Sequence, residues 1–124
     1  MIIHMNKGQL KGVTVLDMKG SIHAGPDCRR IEQEIEALIR ENEKRIILDL
    51  THVTHVDSSA IGSIVRCLCR LKSCSGMLRL AGATGMIEHS IKLTQLHKVL
   101  ELYPTAAAAA ENLPPHSSTG TEPH

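Results

Sequence analysis

The sequence predicts an α/β fold in which helices pack on a mixed or parallel β-sheet. Three observations carry that expectation. Short β-type runs alternate with amphipathic helical segments along most of the chain. Ile46-Ile47-Leu48-Asp49-Leu50 is nearly continuously apolar, as in strands buried on both faces. The connections are short and marked by Gly and Pro.

The elements follow in order. Ile2 to Asn6 and Val13 to Met18 flank Lys7-Gly8 and Lys11-Gly12, and the alternation of Val13, Val15 and Asp17 with Thr14, Leu16 and Met18 suits a strand. The pair reads as a hairpin or as two adjacent strands. Gly20 and Gly25-Pro26-Asp27 break the chain, with Pro26 placed for the first turn of a helix. Cys28, Ile31, Ile35, Leu38 and Ile39 recur at spacings of three and four, predicting a helix over about residues 27 to 42. Ile46 to Leu50 is then a central strand, and Thr51 to His55 a polar segment leaving it. Ile61, Ile64, Val65, Leu68 and Leu71 predict a second helix from near Ser58 to before Gly76. Met77 to Ala81 is another β-type run, closed by Gly82. A short helix over about 86 to 92, a strand over about 99 to 103 and a helix started by Thr105 and stopped by Pro114-Pro115 complete a domain over residues 1–113. Residues 114–124, rich in Ser, Thr, Gly, Pro and His, read as a disordered tail.

Composition narrows the function. With 124 residues the chain suits one domain and one modest core. A net charge of +1 with 22% charged residues supplies no broad field for nucleic acid or an anionic membrane, so partners are recognised locally. Tyr103 is the only aromatic besides histidine, which removes the stacking platforms that grip single strands. Apolar runs fall far short of the ~20 residues that span a bilayer, and the N-terminus has no secretory h-region, so no membrane insertion and a cytoplasmic location are expected. Four cysteines are too sparse for a disulfide scaffold and are expected as thiols.

In open α/β sheets functional groups gather where a strand's carboxyl end passes into a helix, and here that place is His52 to Gly62. Asp57, Ser58 and Ser59 are all good N-cap residues, and from spacing alone a cap is the plain reading. Three blocks add to it: Val13-Thr14-Val15-Leu16-Asp17-Met18-Lys19-Gly20, Arg45-Ile46-Ile47-Leu48-Asp49-Leu50, and Val56-Asp57-Ser58-Ser59-Ala60-Ile61-Gly62. With Leu78-Arg79-Leu80-Ala81-Gly82 and Lys92-Leu93-Thr94-Gln95-Leu96, the chain resembles the STAS domain family over about residues 2 to 113, and within it an anti-sigma-factor antagonist.

The resemblance implies a STAS-like mixed sheet of four to five strands with about four helices packed mainly on one face. It also implies a non-enzymatic regulator that binds an anti-sigma factor with serine kinase activity and is switched off by phosphorylation. The phosphoacceptor of the family's Asp-Ser-Ser/Thr-Gly motif matches Ser58, and Asp57, Ser58, Ser59, His23 and Ile61 are the expected partner-binding residues. The chain departs from the pattern in two places. Ala60 stands for the motif's glycine, and His23 for the common acidic residue after the first Gly-x-Leu/Ile step. A constitutive interaction module, such as a transporter accessory subunit or a scaffold, is the alternative, and nucleotide binding near Ser58 a third reading. The edge strand near Ile2 to Asn6 leaves room for a homodimer.

Other constellations carry less. Ser58 or Ser59 with His23, His52 or His55 and Asp57 lacks the Gly-x-Ser-x-Gly elbow of a hydrolase. Cys67 and Cys69 diverge by about 200° on a helix and are expected to pack in or near the core rather than to share a metal ion. His4, His89, His97 and His116 form no ligand pair, and no phosphate-binding Gly-x4-Gly-Lys-Ser/Thr is present. No metal or cofactor is expected. The acidic face of the first helix, Glu32, Glu34, Glu36 and Glu41, reads as solvated surface.

Overall fold

The computed structural model describes residues 3–111. Strand β1 (His4–Leu10) turns back antiparallel onto β2 (Val13–Ile22) through Lys11 and Gly12. Both turn residues have positive φ (54° and 79°), the backbone that a two-residue hairpin needs to match the right-handed strand twist. Lys7-Gly8 is part of the strand rather than a break. Gly8 pairs with Val15, and as an edge position with open space beside it, it needs no side chain.

From β2 the chain passes through α1 (Pro26–Arg40) to β3 (Arg45–Val56), then through α2 (Ser58–Lys72) to β4 (Met77–Ala81). Helix α3 (Gly85–Leu93), a 3₁₀ turn (Leu96–Lys98), β5 (Glu101–Tyr103) and α4 (Ala106–Ala109) follow. The sheet is mixed, in the order β1-β2-β3-β4-β5, with β2 to β5 parallel.

The polar stretch Thr51 to His55, expected to leave the sheet, continues β3. Two irregularities against β2, between Asp17 and Lys19 and between Gly20 and Ser21, add residues to β3. They keep Val53 and Val56 turned to the core while Thr51, His52, Thr54 and His55 stay in solvent.

One sheet face carries the main core. Leu16, Met18 and Ile22 of β2, Ile46, Leu48 and Leu50 of β3, and Leu78 and Leu80 of β4 pack under α1, α2 and α3. Ile31, Ile35, Leu38, Ile64, Leu71 and Ile91 are at most 2% exposed, so the stripes spaced by three and four are the packed faces. On the opposite face Val13, Ile47 and Ala81 lie under Ala109 and Ala110, so three helices share one face and, among the described residues, only α4 takes the other.

Helix α4 is shorter than the alanine run suggests. It begins where Thr105 Oγ1 accepts the Ala108 N–H and ends after four residues. Pro114-Pro115 and the tail at 114–124 lie outside the described residues. Arg79, 6% exposed, holds α4 down: its guanidinium donates to the carbonyls of Ala109 (2.8 Å) and Glu111 (3.0 Å) and to Glu101 Oε1 (2.8 Å), and it lies over the Tyr103 ring. Arg79→Met keeps the packing but leaves two carbonyls unpaired, and charge-assisted bonds of this kind put the expected loss at about 2–3 kcal/mol. The urea midpoint measures it, and hydrogen exchange is expected to show the 106–110 amides losing protection first.

Candidate functional site

The parallel register Ile22↔Val56 brings the carboxyl ends of β2 and β3 side by side. His23 therefore lies beside Asp57 where the chain enters α1 and α2, and the Asp57 N–H donates to the Ile22 carbonyl (3.3 Å). Asp57 is the N-cap of α2. Its Oδ1 accepts the Ala60 N–H at 2.8 Å, and its Oδ2 accepts the Ala24 N–H at 3.0 Å. His23 Nδ1 stands 3.7 Å from the same Oδ2. One carboxylate thus caps a helix and pins the neighbouring loop.

The Ala60 N–H, then the Ala24 N–H and the His23 imidazole, hold the Asp57 carboxyl below its ordinary value. Bonds to Ser63 and Arg66 do the same for Glu32, and bonds to Thr14 and Gln9 for Glu43. A carboxylate depressed on folding contributes stability that is present above the unfolded value, about 4, and is lost as pH falls through the lower folded value. The thermal midpoint is therefore expected to be level between about pH 7 and 5 and to fall below about pH 4. Asp57→Ala is expected to cost about 1–2 kcal/mol in a chemical melt, the range of lost helix caps, and to flatten that acid limb.

Ser58 is the first residue of α2 and Ser59 the second, and both side chains are exposed. Among the described residues neither hydroxyl bonds a neighbouring group. The hydroxyl beside Asp57 is thus turned outward while Asp57 itself is spent on the fold. His23, with 60% of its side chain exposed, completes the corner. Ile61, expected to touch a partner, is instead 6% exposed. Sinking an apolar side chain of this size stabilises the fold by about 2 kcal/mol, and it leaves Ile61 little surface for a visitor. Ala60 is fully buried, so its methyl is turned into the protein.

The other candidates separate from the corner. His52 lies by Asp17 (4.0 Å), and no described hydrogen bond joins Ser58 or Ser59 to a histidine, the relay that acyl transfer needs. Cys28 and Cys67 are buried, with burial pushing the Cys28 thiol up and the Cys67 thiol to about 12, which keeps thiolate scarce. Cys69 is exposed rather than packed as expected, since one residue of helix turns it away from the core side that holds Leu68. Among the described residues no group of three or more His, Cys, Asp or Glu side chains is placed to hold a metal ion, and no helix is long and apolar enough to cross a membrane.

Two features escaped the sequence reading. Glu32 and Glu36, taken for solvated surface, reach across to α2: Arg66 donates to Glu32 (2.9 Å), Ser63 donates to Glu32 (2.6 Å) and Arg70 donates to Glu36 (2.7 Å). The matching spacing of four between the two glutamates and between the two arginines was the available signal. Asp27, read only as part of a helix start, is a buried carboxylate linking Ile3 and the His23 loop.

The STAS domain profile matches residues 4–109, which takes in the whole sheet, α1 to α4 and the Ser58 corner. This chain belongs to the STAS domain family. A Thermotoga maritima protein named "Putative anti-sigma factor antagonist" is 27% identical to this STAS chain over 78 residues, covering 63% of it and 69% of the relative. The crystal structure of an antagonist so described from the same organism superposes with a TM-score of 0.79 at 21% identity, over 86% of this chain and 92% of the other. The Bacillus cell fate determinant SpoIIAA in its phosphorylated form superposes at 0.66 with 16% identity, over 86% and 96%. These likenesses fix the STAS fold.

Proposed function

We propose that this STAS chain is an anti-sigma-factor antagonist, a cytoplasmic binding protein rather than an enzyme. It docks its Ser58 corner on an anti-sigma factor that carries serine kinase activity. Phosphorylation of Ser58 by that partner ends the docking, and transcription responds indirectly. The observation that carries the reading is the Ser58 hydroxyl: exposed, unspent on any described group, and set at a strand-to-helix corner beside the Asp57 cap. The antagonist names borne by its relatives support the same reading.

Docking would use Ser58, Ser59 and His23, all on the surface, with Asp57 setting their positions. Incubation with ATP and a serine-kinase anti-sigma factor from the same genome, followed by peptide mapping in a mass spectrometer, is expected to place one phosphate on Ser58 and none on Ser58→Ala. A stable complex in which Ser58 stays unmodified throughout would replace the switch with constitutive docking.

A further inference from the structure

Asp27 is a buried carboxylate, 4% exposed, in the first turn of α1, yet neither oxygen caps its own helix. The cap residue there is Gly25, which offers no side-chain bond. Asp27 Oδ1 accepts the backbone N–H of Ile3 (2.9 Å), from the segment leading into β1, and Oδ2 accepts the backbone N–H of His23 (3.0 Å). His23 is also held through its carbonyl, which accepts from the Cys28 thiol (3.3 Å). The next residue, Ala24, donates to Asp57 Oδ2, and Asp57 Oδ1 accepts from Ala60. Two carboxylates in series therefore tie the amino-terminal segment, the β2–α1 loop and the first turn of α2 into one chain of hydrogen bonds that ends beside Ser58.

We propose that Asp27 is a positioning residue for Ser58: by fixing the His23-Ala24 backbone it fixes the second ligand of the Asp57 carboxylate, and so the presentation of the hydroxyl. The role of the hydroxyl rests on the phosphoacceptor reading above; the geometric link does not. A buried carboxylate that served only to start its helix would bond the free N–H groups of α1. This one bonds no N–H of α1: Oδ2 reaches back to the His23 N–H and Oδ1 to the buried N–H of Ile3, a donor that needs a partner.

The test uses the full chain labelled with ¹⁵N. Asp27→Asn is nearly isosteric but replaces one acceptor by a donor, which faces an N–H with another N–H. Exchange of the His23 and Ala24 amides is expected to quicken by about tenfold or more, the loss of one net hydrogen bond, while Ile47 and Leu48 in the sheet keep their rates. The amide resonances of Ser58 to Ala60 are expected to shift, a change that a purely local tie would not cause. In phosphate transfer from the serine-kinase anti-sigma factor, kcat is expected to fall while KM stays near its starting value, because the docking surface survives and the hydroxyl's placement does not. Ile3→Pro removes one donor with an apolar side chain kept, and is expected to move the same resonances less; it serves as the readout should Asp27→Asn fail to fold. If both variants leave Ala24 and Ser58 to Ala60 unmoved, Asp27 merely anchors the amino-terminal segment and the proposal fails. If the resonances move but Ser58 of the unaltered chain accepts no phosphate, the Asp27 link stands and the phosphoacceptor reading falls.

Discussion

Ser58→Asp is expected to weaken binding to the cognate anti-sigma factor by about 100-fold, against about fivefold for Ser58→Ala, in a calorimetric or interferometric titration. The alanine variant loses at most one net hydrogen bond, about 1 kcal/mol. The aspartate adds a charge next to Asp57, whose own carboxylate is held ionised by the Ala60 and Ala24 N–H groups. Two unit charges at 4 Å repel by about 4 kcal/mol at an effective dielectric of 20, whereas the helix N-terminus returns only about 0.3–1 kcal/mol. That repulsion is already present before docking and bears on the fold; the loss of binding comes from burying the surplus charge under a partner without a matching cation, and 100-fold corresponds to about 2.7 kcal/mol. Ser59→Asp, one position further along α2, is the natural control and is expected to weaken binding less. Equal affinities for Ser58→Asp and Ser58→Ala would leave the charge without a role.

Gly82→Ala is expected to destabilise the fold by about 3 kcal/mol or more, combining left-handed backbone strain with overpacking against a main chain. Gly82 follows β4 with φ +73° and donates its N–H to the Tyr103 carbonyl (2.9 Å), which extends the contact between β4 and β5. A Cβ built there collides with Thr51 Oγ1 and falls 2.8 Å from Thr51 N and 2.9 Å from Thr51 Cα. The hydroxyl could rotate aside, but the backbone of β3 has nowhere to go. Gly12→Ala tests the distinction. It shares the positive φ but faces open space, so only the conformational cost of about 1 kcal/mol is expected. Urea denaturation of the two variants side by side separates strain from collision.

The parts of the fold legible in the sequence were those whose burial repeats with a simple period. Ile31, Ile35 and Leu38 in α1, and Ile64, Leu68 and Leu71 in α2, are buried at the spacings that announced them, and the run from Ile46 to Leu50, apolar but for Asp49, lies between two neighbouring strands. The second half of β3 was not legible because its irregular register breaks the two-residue alternation. Val53 and Val56 come out three apart, a helical spacing inside a strand. The site divided along a similar line. The Asp57 cap and the exposed serines could be read from residue type and place. Asp27 could not, since its partners are backbone N–H groups, one of them 24 residues away, and a backbone donor leaves no mark in the sequence. Ile61 has the spacing of the α2 core stripe, and its burial follows that stripe rather than its closeness to Ser58.

One titration bears on all of this most directly. The chain is phosphorylated at Ser58 by its kinase partner, half is returned to the hydroxyl form with a phosphatase, and both halves are titrated against the anti-sigma factor. The phosphate adds about −1.5 to −2 charges, so the modified half is expected to bind 100-fold or more weakly, with the phosphatase-treated half restored to full affinity. Matching affinities for the two halves would contradict the account.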